Sequence, residues 1–146
     1  MNLHQKQNET QIYQLRAIVR HISPLIWRRL LVENDATLAE LHDILQITFG
    51  WDDYHLHRFT IRGKEYGINY AGGLFFGNNA RNFTLVDFDF RVSDRFVYEY
   101  DYTDAWLHDI EIEAITPPDY KKTYPICIAG KRAAPPENCG GSWRYS

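Results

Sequence analysis

Three groups of residues carry side chains able to do chemistry. The first is Asp101, Asp104 and His108, in the segment Tyr100-Asp-Tyr-Thr-Asp-Ala-Trp-Leu-His108. A turn between two strands brings the two carboxylates together, with Trp106 and His108 just along the returning strand. Neighbouring carboxylates raise each other's proton affinity, and one of them can hold a histidine. That is the raw material of a general acid/base pair or a divalent-cation site. The same residues also suit a plain fold. Asp in a tight turn often bonds its own backbone, and His108 shares a strand face with Ile110 and Ile112.

The second group is Arg132, Glu137 and Cys139, within Gly130-Lys-Arg-Ala-Ala-Pro-Pro-Glu-Asn-Cys-Gly-Gly141. Prolines stiffen this segment, and glycines let its backbone approach another surface closely. A lid of this kind would carry Arg132 and Glu137 onto the turn, so that Asp104 and Glu137 face one hollow. The alternative is a rigid terminal tie with exposed charges. Cys139 has no local base or positive neighbour to activate it as a nucleophile.

The third group is His55 and His57, with Trp51 and Tyr54. Strand positions two apart face one side, so His55, His57 and His108 make a candidate three-histidine metal site. No carboxylate or Cys stands at recognisable ligand spacing, and Asp52 and Asp53 read as loop acids. Two histidines at a strand start also suit a structural role.

The elements that must position these groups follow from periodicity. Gln11–Ile22 alternates, with Tyr13, Leu15, Ala17 and Val19 on one face, as a strand does. Ser23-Pro24 signals a turn, and Leu25–Val32 resumes as the second strand of a hairpin. Thr37–Phe49 is a helix. Thr37 and Glu40 form a capping box, Leu38, Leu41, Leu45 and Phe49 share a stripe flanked by Ile44, and Gly50 stops it. Leu56–Arg62 alternates again, with His57, Phe59 and Ile61 together. Gly63–Arg81 reads as a long surface loop with a short hairpin near Tyr66–Phe76. Asn82–Phe90 is a short helical turn or a strand. Arg95–Asp101 and Trp106–Ile115 pair as a hairpin, and Tyr124–Ala129 is a weaker last strand. The expectation is an α+β domain over residues 12–146, following a flexible, polar segment at 1–11. It has a mixed, mainly antiparallel sheet, one principal helix packed on one face, and a β-grasp-like ββαβ start.

Composition narrows the function classes. The chain has 146 residues, one ordinary domain. Aromatic residues make up 15%, too many large side chains for a disordered chain. Net charge is −3, so no overall positive field favours nucleic acid. Local basic pairs stand at Arg28-Arg29, Lys121-Lys122 and Lys131-Arg132. No apolar run approaches the roughly 20 residues that span a bilayer. The polar first 11 residues lack a signal core, and the two cysteines fit a reducing compartment. The expectation is a soluble cytoplasmic protein with no membrane partner. There is no nucleophile elbow, no His-Glu-x-x-His and no dinucleotide fingerprint, and the residues name no cofactor.

The chain resembles the plasmid pRiA4b ORF-3-like family from about Ile12 to Tyr145. The matching pieces are Ile22-Ser-Pro-Leu-Ile-Trp-Arg-Arg29, Thr37-Leu-Ala-Glu-Leu-His42, Phe49-Gly-Trp51, His55-Leu-His57, Tyr100–Trp106 with His108, and Gly130–Gly141. Their order and number together are specific. The resemblance implies an α+β domain, mostly prokaryotic and often associated with mobile elements. A resolvase label on some relatives implies a nucleophile among clustered arginines on a basic face, and this sequence supplies neither. The family pattern has Gly where this chain has Thr103 and Asp where it has Asn138, which removes one potential metal ligand.

Three functions remain. The first is a binding or interaction module with an aromatic and acidic cleft for an unknown ligand or protein. The second is a metal-dependent hydrolase or nuclease using Asp101, Asp104, His108 and Glu137. The third is a DNA-binding accessory protein using Arg28, Arg29, Lys131 and Arg132.

Overall fold

The computed structural model describes residues 9–53, 55–68, 77–102 and 104–134. Two strands open it, β1 (Ile12–Val19) and β2 (Trp27–Glu33), followed by helix α1 (Leu38–Phe49). Then come β3 (His57–Ile61), β4 (Lys64–Tyr66), β5 (Arg95–Tyr100), β6 (Trp106–Thr116) and β7 (Ile126–Lys131). These form one sheet in the order β4-β3-β5-β6-β1-β2-β7. All six strand pairings are antiparallel. The α+β expectation, with a mainly antiparallel sheet and one principal helix, holds.

Helix α1 forms where its caps predict. The Thr37 side chain accepts from the Glu40 N–H at 3.0 Å, and Glu40 reaches back to the Thr37 N–H at 3.2 Å. Gly50 ends it at φ 74°, a left-handed conformation that costs glycine little. The helix leaves the sheet after β2, near one edge, and returns the chain to β3, near the other. Its buried stripe is Leu38, Leu41, His42, Leu45, Gln46 and Phe49.

The buried sheet face receives this stripe. Leu15, Ala17 and Val19 of β1, Leu30 and Val32 of β2, and Phe59 and Ile61 of β3 lie in one core with Phe96, Tyr98 and Tyr100 of β5. Trp106, Ile110 and Ile112 of β6 join them. The other face is charged and pairs across strands, as sheet sides exposed to water do. Arg20 meets Asp109, Arg29 meets Glu113, and Arg58 meets Glu99.

The described residues after β3 include regular structure that a loop reading lacks. Three residues of β4 pair with β3. A 3₁₀ turn spans Leu85–Phe88, started by Asp87, whose carboxylate accepts from the Thr84 N–H at 2.8 Å. The hairpin expected near Tyr66–Phe76 lies mostly outside the described residues.

Candidate functional site

Helical periodicity puts His42 and Gln46 on the buried stripe between leucines. A polar side chain there must find partners, and both do. The Asp53 backbone N–H donates to Gln46 Oε1 at 2.9 Å. This fixes the amide orientation, so Gln46 Nε2 donates to Tyr98 Oη at 2.8 Å. His42 Nε2 lies 2.8 Å from Asp53 Oδ1, and His42 Nδ1 lies 2.7 Å from Tyr98 Oη.

Proton positions follow. A carboxylate only accepts, so His42 carries its proton on Nε2 and donates it to Asp53. Burial pushes His42 below the ordinary histidine value, against the opposing pull of Asp53, so Nδ1 is a bare lone pair. Tyr98 therefore donates to it. Burial holds the Tyr98 phenol well above its ordinary value, so it keeps that proton. The result is a closed circuit from Asp53 through Gln46, Tyr98 and His42 back to Asp53. Asp53 supports it from a left-handed φ of 57°, a region that Asp enters more readily than most residues.

His57 of β3 lies flat against His42, ring centroids 3.4 Å apart and planes 7° from parallel. Burial, and then the neighbouring His42, lower its pKa to about 3, so it is neutral. His57 is 2% exposed, and neither ring nitrogen has a hydrogen-bond partner among the described residues. The ligating atoms of His42, Asp53 and His57 lie within 4.8 Å of one another.

Beside this trio runs a chain of rings. Trp51 stacks with Trp106 at 5.7 Å and meets His108 edge-on at 6.4 Å. His108 packs against Tyr98 at 5.1 Å and Phe49 at 5.0 Å. It donates from Nδ1 to the Tyr98 carbonyl at 3.1 Å. Among the described residues its Nε2 has no hydrogen-bond partner, nor has Nε1 of Trp51 or of Trp106. Burial lowers His108 to about 4.

The turn after β5 carries the two aspartates. Asp101 is buried at φ 61°, and the Asp104 N–H donates to its Oδ1 at 3.3 Å. Asp101 Oδ2 lies 3.5 Å from His55 Nε2, and the Asp101 N–H donates to the Leu56 carbonyl at 2.9 Å. Hence the loop after α1 and the turn after β5 sit side by side.

The other sequence candidates are placed as follows. The atoms that gather as a ligand set belong to His42, Asp53 and His57, not to His55, His57 and His108. His55 pairs instead with Asp101, and His108 with the Tyr98 carbonyl. Arg132 donates to the Pro24 carbonyl at 2.9 Å, tying β7 to the first turn. Arg28 Nη1 donates to the carbonyls of Trp27, Lys131 and Arg132, and Arg28 Nε to that of Thr48 at 3.4 Å. Arg29 is held by Glu113. Glu137, Cys139, Tyr54 and Thr103 lie outside the described residues, and so does any meeting of Asp104 with Glu137. Periodicity missed His42, Gln46, Asp53 and Tyr98. The available signal was two polar residues on an otherwise apolar helical stripe.

The fold and this network define an α+β domain with one antiparallel sheet and a buried polar circuit beneath its helix. The chain belongs to the plasmid pRiA4b ORF-3-like protein family, which matches residues 11–146. It is 31% identical over 141 residues to the uncharacterized protein y4hQ of Sinorhizobium fredii (strain NBRC 101917 / NGR234), covering 92% of this chain and 69% of that one. It is also similar to the crystal structure of MM3350, a protein of unknown function from Methanosarcina mazei Go1. That likeness has a TM-score of 0.84 at 35% identity, covering 95% of this chain and 80% of the other. No helix among the described residues is long and apolar enough to cross a membrane.

Proposed function

We propose that the chain is a binding module, taking a polar ligand or partner group where the loop after α1 meets the turn after β5. One observation carries this reading. Four buried side chains in one continuous ring cluster, Trp51, His57, Trp106 and His108, hold ring nitrogens without hydrogen-bond partners among the described residues. Each buried donor left unmade costs about 1–3 kcal/mol, and native proteins carry few. A polar guest recovers that cost. Asp53, His55 and Asp101 supply the acidic and basic rim.

The test is a melting-temperature screen against amino acids, nucleotides, short oligonucleotides, peptides and divalent ions, with tryptophan emission as second readout. One class is expected to raise the melting temperature and change the emission, and Trp51→Phe should weaken both effects. Hydrolytic turnover that disappears in Asp101→Asn would instead favour catalysis.

A metal-dependent hydrolase is the second reading, supported by the two imidazoles and one carboxylate of His42, His57 and Asp53. DNA contact through Arg28 and Arg29 finds less support, because both guanidinium groups are already engaged within the chain.

A further inference from the structure

We infer that His42, Asp53 and His57 bind a divalent transition-metal ion of the zinc class. This rests on the binding-module reading and names one ligand for it. The donor set is two imidazoles and a carboxylate, with ligating atoms within 4.8 Å of one another. Nitrogen-rich sets of this kind suit zinc, cobalt or nickel, whereas magnesium and calcium take oxygen shells.

His57 is the independent sign. It is 2% exposed, it stands in this set, and both its ring nitrogens lack a partner among the described residues. A satisfied core histidine bonds through at least one nitrogen, as His108 does with the Tyr98 carbonyl. His57 does not, so an ion at its lone pair supplies what the protein leaves out.

The geometry also says what must move. Rings 7° from parallel at 3.4 Å aim their lone pairs side by side rather than at one point. His57 has to turn out of the stack to share an ion with His42. It breaks no hydrogen bond in doing so, because its ring makes none. His42 Nε2 and Asp53 Oδ1 stand 2.8 Å apart. Two donors on one tetrahedral zinc at about 2.0 Å each stand about 3.3 Å apart, so this contact opens by roughly half an ångström. The ion takes the place of the His42 Nε2 proton. The ring shifts to its other tautomer, and Nδ1 then donates to Tyr98 Oη, whose own hydroxyl proton turns away from the imidazole. Tyr98, oriented by Gln46, is thus the outer partner that a metal-bound histidine normally has.

Three protein donors leave a fourth position open. The Asp53 side chain is 46% exposed, so the ion is reached from its side. Water or a group of the bound partner completes the shell there.

The experiment uses the full chain, freed of metal by chelation and titrated with zinc chloride and with cobalt chloride. The readouts are calorimetry, melting temperature and cobalt visible absorption. The expected result is one ion per chain, a higher melting temperature, and the absorption of a four-coordinate cobalt site. Asp53→Asn and His57→Phe should each weaken binding beyond the roughly 10–100-fold that losing an outer partner costs. Tyr120→Ala, an exposed side chain between β6 and β7, should bind as the parent does. Asp53 is partly exposed, so Asn there tests the site even if Phe at 57 disturbs folding. Absence of one-to-one binding overturns the proposal, as does binding that both variants leave unchanged. If neither ion binds while an organic class in the screen still raises the melting temperature, the metal site falls and the binding module stands. If the screen also finds nothing, both fall.

Discussion

His108 on β6 gives its Nδ1 proton to the main-chain carbonyl of Tyr98, its cross-strand partner on β5, at 3.1 Å. The imidazole is therefore a neutral donor built into the sheet, fully buried between Phe49, Trp51 and Tyr98. Its pKa of about 4 lies below the ordinary histidine value of 6.5, chiefly through burial.

That depression has a definite sign. Between pH 6.5 and 4 the unfolded chain takes up a proton at this position that the folded chain refuses. The stabilisation is whole above pH 6.5 and is lost as the solution is acidified through that window, by roughly 3 kcal/mol at most. Urea unfolding followed from pH 7.5 down to pH 4.5 measures it. His108→Phe should be less stable at neutral pH, having lost the carbonyl bond, but should show a shallower acid slope. An unchanged slope would remove His108 as its source.

Tyr98→Phe deletes one oxygen and opens the buried circuit. His42 Nδ1 loses its donor and Gln46 Nε2 its acceptor. Two buried groups left without partners predict a loss of about 2–6 kcal/mol, since each costs about 1–3. Denaturant unfolding at neutral pH checks it, and a change under 1 kcal/mol would mean that the circuit adds little to stability.

The path from sequence to this circuit was half legible. Thr37, Glu40 and Gly50 signal both ends of α1, because a cap is a contact among near neighbours in the chain. Alternation placed β1, β2, β3, β5 and β6 for the same reason. The circuit is different. It joins His42 to Tyr98 and Gln46 to Asp53, and the first contact depends on the helix crossing the sheet. Counting only apolar residues on the stripe passed over His42 and Gln46, and Asp53 looked like any loop acid. The strand β4 escaped because three residues are too few to display alternation.

Gly130 is needed for closeness rather than for a special φ. A Cβ placed there would stand 2.8 Å from the Trp27 carbonyl oxygen and 2.8 Å from Arg28 Cδ. The side chain of Arg28 can shift, but the Trp27 backbone cannot without prising β7 from β2. Gly130→Ala is expected to destabilise by about 1–3 kcal/mol, in the range of overpacking. It should also quicken amide exchange along β7 ahead of β1. Equal protection in both strands would refute that placement.

Thr37→Ala removes the side-chain acceptor at the start of α1, at a typical cost of about 1 kcal/mol. The Thr37 hydroxyl accepts from the Glu40 N–H in an exposed contact and takes no part in the circuit. The melting temperature should fall while zinc binding stays as in the parent. A matching loss of zinc affinity would mean that cap and site are coupled.

The position of β1 sets the timetable of synthesis. Its first partner, β2, follows within a few residues, but its second, β6, pairs Ile12 with Thr116. A ribosome therefore delivers this interior strand of the sheet long before one flank of it exists. That bare edge must wait through most of translation, a span in which nascent chains are open to mispairing. Distant pairings of this kind also slow folding, so the sheet completes itself only once β7, at Ile126–Lys131, has emerged.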